Sequence, residues 1–431
     1  MRKKTAISTL FFLLIVSYTA TAQKQLNSPY SRFNIGSLEL QGSFKSRAMG
    51  GAGVAMRDNN SIHYMNPASY SSLDTNSFSF DFGVDLGIST LKQDDKKSTS
   101  KDMNFNQLVM GFPIAKNWGI ATGIVPVSHG YYNISNNISE TDEEYNPTTG
   151  AYHEFYDGKG GFSNFFLGTG VSILKNLSAG VNMTIMFGTL DRNSKIILED
   201  VENNFHTTTS ESMKINGINF DYGLQYMTKL KDDYFLNAGF TFVSGKSYKS
   251  RYEYFAGITS IYHTVYKPYD TLNYVSEAAT PVKLPQMYKA GVAFGKPDKY
   301  TVAFDFVATP WSKSDIPGVE RYAASTKKYA LGVEYIPEKY SIGNFFKRIE
   351  YRFGGYFGDN YLVLDGFQLK EKGVSFGLGI PLRRTFSRVN LFVDYSQISG
   401  SKKSELHSEN ILTIGGSLNF YDFWFFKRRY N

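Results

Sequence analysis

The chain has 431 residues, with 46 Lys and Arg against 39 Asp and Glu, 35 Phe, 31 Tyr, 39 Gly and no Cys. The lack of cysteine excludes disulfides, thiolate metal sites and thiol redox chemistry. A mean hydropathy of -0.30 is too polar for a helical membrane protein, and 16% aromatic residues is too many for a disordered one.

At the N-terminus Arg2, Lys3 and Lys4 precede an apolar run from Leu10 to Val16, then Ala20-Thr21-Ala22 before Gln23. This is the pattern of a signal peptide over residues 1–22, cleaved after Ala22. Its apolar core is too short to span a bilayer, and no later run approaches the roughly 18 to 20 residues that a transmembrane helix needs. Removing the three basic residues leaves 43 basic against 39 acidic side chains, a scattered +4 that does not argue for nucleic acid.

From residue 76 onward the dominant pattern is alternation at period two. Phe78, Phe80, Phe82, Val84, Leu86 and Ile88 alternate with Ser, Asp and Gly. The pattern returns at Val302, Phe304 and Phe306, at Val374, Phe376, Leu378 and Ile380, and at Leu412, Ile414, Leu418 and Phe420. A soluble sandwich would alternate too, but its strands usually run about 5 to 6 residues. These segments often exceed the 9 to 11 that cross a membrane. Short joins at Lys116-Asn117, Lys175-Asn176, Lys231–Asp233, Pro297-Asp298 and Arg383–Thr385 alternate with long polar stretches at Lys92–Lys101, Ser135–Gly160, Asn193–Thr209, Gly257–Pro281 and Ser399–Ser408. Outer-membrane barrels combine short periplasmic turns with long external loops. The expected fold is therefore an all-β, transmembrane antiparallel β-barrel of about fourteen strands over residues 76–431.

Residues 23–75 do not alternate and are rich in Gly, Ser, Asn and Ala. Inside a barrel such a segment forms a plug, because irregular backbone is tolerated at membrane depth where protein buries it. A flexible periplasmic extension is the alternative. Gly50, Gly51 and Gly53 allow close backbone approach, and Pro67 fixes a turn after Asn66.

Here the sequence resembles a known family. Ser46-Arg47-Ala48-Met49-Gly50-Gly51-Ala52-Gly53-Val54-Ala55, then Asp58 and Asn66-Pro67-Ala68, is similar to the N-terminal hatch of the FadL family of outer-membrane transport proteins. Tyr288–Ala293 before Trp311-Ser312 is similar to the family's late strands. Ser28–Phe33 and Gly373–Pro381 resemble its Bacteroidetes-type relatives. The resemblance implies a monomeric fourteen-stranded barrel, plugged by its hatch, that passes hydrophobic molecules such as long-chain fatty acids. It implies a hatch or gate built from Gly50, Gly51, Asp58, Asn66, Pro67 and Ala68, with the Asn-Pro-Ala turn near an inward kink in the third strand that opens laterally to the bilayer. Pro126 and Gly130 fall on or beside that strand, expected at Gly119–Ile134. A proline is confined to edges, strand starts and bulges, so Pro126 marks either a lateral opening or a bulge near the rim.

Tyr145, Tyr152, Phe155 and Tyr156 are candidates for an external groove, or for an aromatic girdle. Ligand-binding residues are not assignable. The six histidines are scattered without metal-ligand spacing, and Gly158–Gly161 lacks the ending of a phosphate loop. No catalytic residue, metal or cofactor is expected. The C-terminal Phe425–Asn431 lacks the terminal aromatic usual in barrels, although Tyr430 is one residue away. Two functional classes remain. One is a transporter whose partners are membrane lipids and a hydrophobic small molecule. The other is a secretion or assembly component that binds a machinery protein, like the FadL-like barrel that shuttles cargo in type IX secretion.

Overall fold

The structure, a computed structural model, describes residues 28–423 apart from 94–95, 143–144, 199–204, 261–267, 318–322, 365, 384 and 401–407. The expected signal peptide and the residues around Tyr430 lie outside the described residues. Among those described, no helix is long and apolar enough to cross a membrane.

The N-terminal segment carries the two-residue strand β1 (Ser37–Leu38), one helical turn α1 (Phe44–Arg47) and a 3-10 turn at Pro67–Ser72. The wall follows as β2 (Ser77–Gln93), β3 (Lys96–Ala115), β4 (Trp118–His129), β5 (Tyr132–Ile138), β6 (Tyr152–Ser172), β7 (Leu177–Leu198) and β8 (Phe205–Lys229). It continues as β9 (Phe235–Val243), β10 (Lys246–Ser260), β11 (Pro268–Leu284), β12 (Met287–Lys296), β13 (Tyr300–Thr309), β14 (Thr326–Tyr335), β15 (Glu350–Leu364), β16 (Phe367–Pro381), β17 (Arg388–Ser399) and β18 (Ser408–Phe423). Three wall strands are interrupted, so that β4 with β5, β9 with β10 and β11 with β12 each form one. Counted in this way the wall has fourteen antiparallel strands, and β18 closes it by pairing with β2 from Ser408 opposite Lys92 to Phe423 opposite Ser77.

Alternation sets the two faces. On β2, Phe82 is 42% and Leu86 37% exposed, whereas Ser79, Asp81 and Asp85 are buried. On β13, Phe304 is exposed beside the buried Asp305. The apolar face points outward and the polar face inward, the reverse of a soluble sandwich and the arrangement a bilayer requires.

The expected long loops are largely strand. Residues 92–93 and 96–101 form the ends of β2 and β3, the described residues of 193–209 and 257–281 belong to β7–β8 and β10–β11, and half of 135–160 belongs to β5–β6, with a connection at 139–151; of 399–408, residues 401–407 lie outside the described residues. Strands that rise above the bilayer need no apolar face, because the ladder holds them while both faces meet water. Polarity there signals exposure, not a break in the sheet. The short joins fall where the sequence places them. Gly158–Gly161 lies within β6, with the Gly160 and Gly161 φ angles at 94° and 156° where that strand bends beside β4.

Candidate functional site

Residues 28–74 are mostly buried and fill the lumen. Their periplasmic portion is held by polar chemistry. At α1, capped by the Ser43 hydroxyl, Lys45 reaches both Asp58 and Glu334 at 2.8 Å. Glu334 accepts from Arg352 at 2.8 Å, Arg352 also bonds Glu350, and Glu350 meets Arg388 at 3.1 Å. The chain Asp58–Lys45–Glu334–Arg352–Glu350–Arg388 alternates in sign, so the buried charges are paired as burial demands. His63 adds a bond to Asp58 at 2.9 Å. Burial alone pushes the Asp58 carboxyl up, but the Lys45 ammonium and the His63 contact outweigh it and hold the group well below the usual carboxylate range.

Backbone contacts complete this anchor. The Gly53 and Val54 amides donate to Asp305 at 2.6 and 2.8 Å, and the Gly50 amide donates to Ser375 at 2.8 Å. Gly50 and Gly51 adopt φ of 68° and 88°, which favours glycine. The Asn66 side chain accepts from the Ala68 amide at 3.1 Å and donates to the carbonyls of Val54 and Leu224, each at 3.0 Å. Pro67 then lies on three wall glycines. A Cβ at Gly170, Gly180 or Gly223 would stand 2.2, 2.4 or 2.7 Å from its atoms.

Thus Gly50, Gly51, Asp58, Asn66, Pro67 and Ala68 belong to one polar anchor. The Asn66 turn, however, docks on β6, β7 and β8, not at a kink in the third strand. Gly170 lies seven positions along β6 from Ser163, the partner of Pro126, or about 23 Å at 3.3 Å per residue.

Pro126 and Gly130 mark a different place. β4 runs against β6 with an irregularity between Pro126 and Ser128, and Gly130 separates β4 from β5 while its amide bonds the Gly160 carbonyl at 2.9 Å. The ladder from β3 to β4 ends at Leu108 opposite Ile124. Beyond it, among the described residues, residues 96–107 of β3 pair only with β2, and β5 pairs only with β6. β1 occupies the inner side of this break, with Leu38 opposite Ser128 and the Glu39 amide donating to the Val127 carbonyl at 2.9 Å. Glu39 also bonds His129 at 2.9 Å and Arg47 at 3.2 Å.

Gly36–Glu39 is therefore the segment at the bend, and sequence reasoning missed it. Its one signal was an acidic residue between Leu38 and Leu40. Asp305, Glu334 and Arg352 were missed too, although alternation puts each on an inward face.

Above this point the lumen is apolar and filled. Tyr30 and Ile35 join Phe162, Leu190, Met213, Ile215, Trp311 and Tyr361 in one buried cluster. A cavity of about 100 Å³ remains, bounded by Asn104 of β3 and His129 of β4 from opposite sides of the break, and by Glu39, Asp85, Glu371 and Asp394 against Arg47. On the periplasmic side a cavity of about 720 Å³ ends at Lys45, Asp58 and Glu334. Of the groove candidates, Phe155 faces outward, while Tyr156 lies under the Arg32 guanidinium at 4.3 Å. Tyr152, Phe155 and Tyr156 are on β6, and Tyr145 is in the connection between β5 and β6. His263 and His407 lie outside the described residues, and among those described no cluster of His, Asp or Glu is arranged to hold a metal ion.

A closed wall with its lumen filled by the chain's own N-terminus defines a fourteen-stranded transmembrane barrel plugged by its N-terminal segment. The fold is shared with a Pseudomonas aeruginosa FadL homologue at 10% identity and the Pseudomonas putida toluene transporter TodX at 14%, each with a TM-score of 0.56 over 90% of this chain and 99% of theirs. It is shared as well with the CymD monoaromatic hydrocarbon channel, at 15% identity and a TM-score of 0.53 over 90% and 99%. The chain belongs to the BamG family, whose model matches residues 1–431. No curated protein matches it.

Proposed function

We propose that the protein is an outer-membrane channel for hydrophobic small molecules, with residues 28–74 as its hatch and the break between β3 and β4–β5 as a lateral exit to the bilayer. The ladder that ends at Leu108 and Ile124 carries this reading. The route to the periplasm is closed by a chain of paired buried charges, whereas at the break in the wall β1, the Ser28–Ser31 turn and the Glu39 pairs with His129 and Arg47 stand against β4 and Tyr131. A hydrophobic solute gains about 0.8 kcal/mol for each methylene it buries. In the upper lumen it would take the place of Tyr30 and Ile35, then leave into another apolar medium. The carboxylates around the small cavity outnumber the cations, which favours neutral solutes over long-chain fatty acids. TodX and CymD, named for toluene and monoaromatic hydrocarbons, have the same fold.

A second reading rests on the filled lumen. With so little free volume the barrel would instead serve as a binding or assembly component for a protein partner. The discriminating experiment measures entry of a neutral aromatic and a fatty acid into proteoliposomes bearing the full-length barrel. Entry above protein-free vesicles, larger for the aromatic, supports transport. Equal entry with and without the barrel, together with a protein that co-purifies from the native membrane, supports the second reading.

A further inference from the structure

A second recess faces the bilayer, independent of anything that passes through the lumen. An apolar groove of about 670 Å³ lies over β13–β17, between Leu331, Phe353, Phe357, Val374 and Tyr395. Gly355 forms its floor, and the chain's own packing does not require a glycine there. A Cβ at Gly355 would meet only the Gly373 carbonyl oxygen at 3.4 Å and a Val374 methyl at 3.9 Å, both ordinary contacts. The neighbouring Gly354 differs, since a Cβ there would stand 2.1 Å from the Met49 carbonyl carbon. One glycine admits the N-terminal segment from inside. The other leaves a slot outside, as strand glycines do where a ligand approaches closely.

Charge lies at one end of this slot. Across the sheet, Leu331, Gly355, Val374 and Tyr395 form one outward row, and Tyr329, Phe357, Lys372 and Gln397 the next. Beyond them Asp359 pairs with Lys370 in the ladder and accepts from the Lys327 amide at 3.4 Å. Lys327, Lys370 and Lys372 are exposed. Their inward neighbour Lys328 is taken by Glu371 at 2.7 Å, but these three have no ion-pair partner among the described residues. The lysines stand within about 7 Å along the strand of the row that opens the groove. They lie toward the end with the longer connections, which in such barrels faces the outside.

We propose that this groove binds an acyl chain of a phosphate-bearing glycolipid of the outer leaflet, with its phosphates held by Lys327, Lys370 and Lys372. Any apolar wall is coated by lipid. This one adds a vacant slot for one chain, placed directly below three unpaired cations whose charge complements a phosphorylated headgroup.

The test is native mass spectrometry on the full-length barrel in detergent, titrated with bisphosphorylated lipid A. Removing two lysines in Lys370→Gln with Lys372→Gln weakens binding roughly 30-fold, from about 1 kcal/mol per basic residue. Gly355→Leu fills the slot, folds because its Cβ has room, and also loses the lipid. Undiminished lipid A binding in both variants overturns the proposal. So does phosphatidylglycerol binding of equal strength and equal sensitivity to the variants, which would make this a general anionic phospholipid site.

Discussion

The two portions of the N-terminal segment are held in the barrel by different physics. Residues 44–73 are tied to the wall by buried ion pairs, by amides on Asp305 and by a proline turn seated on glycines. Residues 28–40 lie against the apolar cluster with a two-residue ladder to β4, and are tied to the wall by single hydrogen bonds from Ser28 to Glu409, from Ser31 to the Tyr131 carbonyl and from Tyr361 to the Gly36 carbonyl, and by the Glu39–His129 pair. Removing one partner of a buried pair leaves an uncompensated charge, whereas an apolar contact can be exchanged for another apolar molecule at little net cost. Under the proposed function the lower portion is the anchor, and Tyr30 and Ile35 of the upper portion are the side chains a solute would replace.

The largest expected effect is on the anchor. Arg352→Met leaves the three carboxylates Asp58, Glu334 and Glu350 to the two cations Lys45 and Arg388, one buried charge uncompensated, and lowers barrel stability by about 3–5 kcal/mol, read from thermal unfolding in detergent. Gly180→Val drives a side chain into the Pro67 turn and destabilises by about 1–3 kcal/mol. Gly343→Val, with nothing within 4 Å, is the silent control.

Asp58 gives a pH signature. Its carboxyl is depressed in the folded state, so its contribution is present above the unfolded pKa, about 3.9, and is lost as pH falls through the folded value. The stability gap between wild type and Asp58→Asn therefore stays constant from neutral pH down to about 4 and closes below that. A gap that already closes between pH 7 and 5 would contradict a depressed Asp58 carboxyl. Of the changes within the N-terminal segment and its docking surface, Ile35→Ala in the upper portion is expected to lower barrel melting less than Arg352→Met does. The same change strengthens binding of a hydrophobic fluorescent probe, because the removed side chain had occupied the site.

Much of the wall was legible in the sequence, because period-two alternation assigns a face to every strand residue. Phe82 and Asp81 sit as their positions dictate. The strand ends were not legible, since polar residues at 92–101 look the same in a ladder above the membrane as in a loop. The anchor motif was visible as glycines around Gly50 and as Asn66-Pro67, but its docking place was not. That place depends on which distant strands carry Gly170, Gly180 and Gly223, a register fact with no local signal. Pro126 falls where the ladder from β4 to β6 is irregular. Nothing near it indicated that Gly36–Glu39 lies against it.

The most direct test of lateral release locks β1 in place. Leu38 and Ser128 face each other next to the hydrogen-bonded Glu39–Val127 pair, a non-hydrogen-bonded position that suits a disulfide, and the chain has no other cysteine. In a Leu38→Cys, Ser128→Cys variant in proteoliposomes, entry of a neutral aromatic is predicted to stop under oxidation and return on reduction. Entry that continues unchanged with the disulfide formed would contradict an exit between β3 and β4–β5.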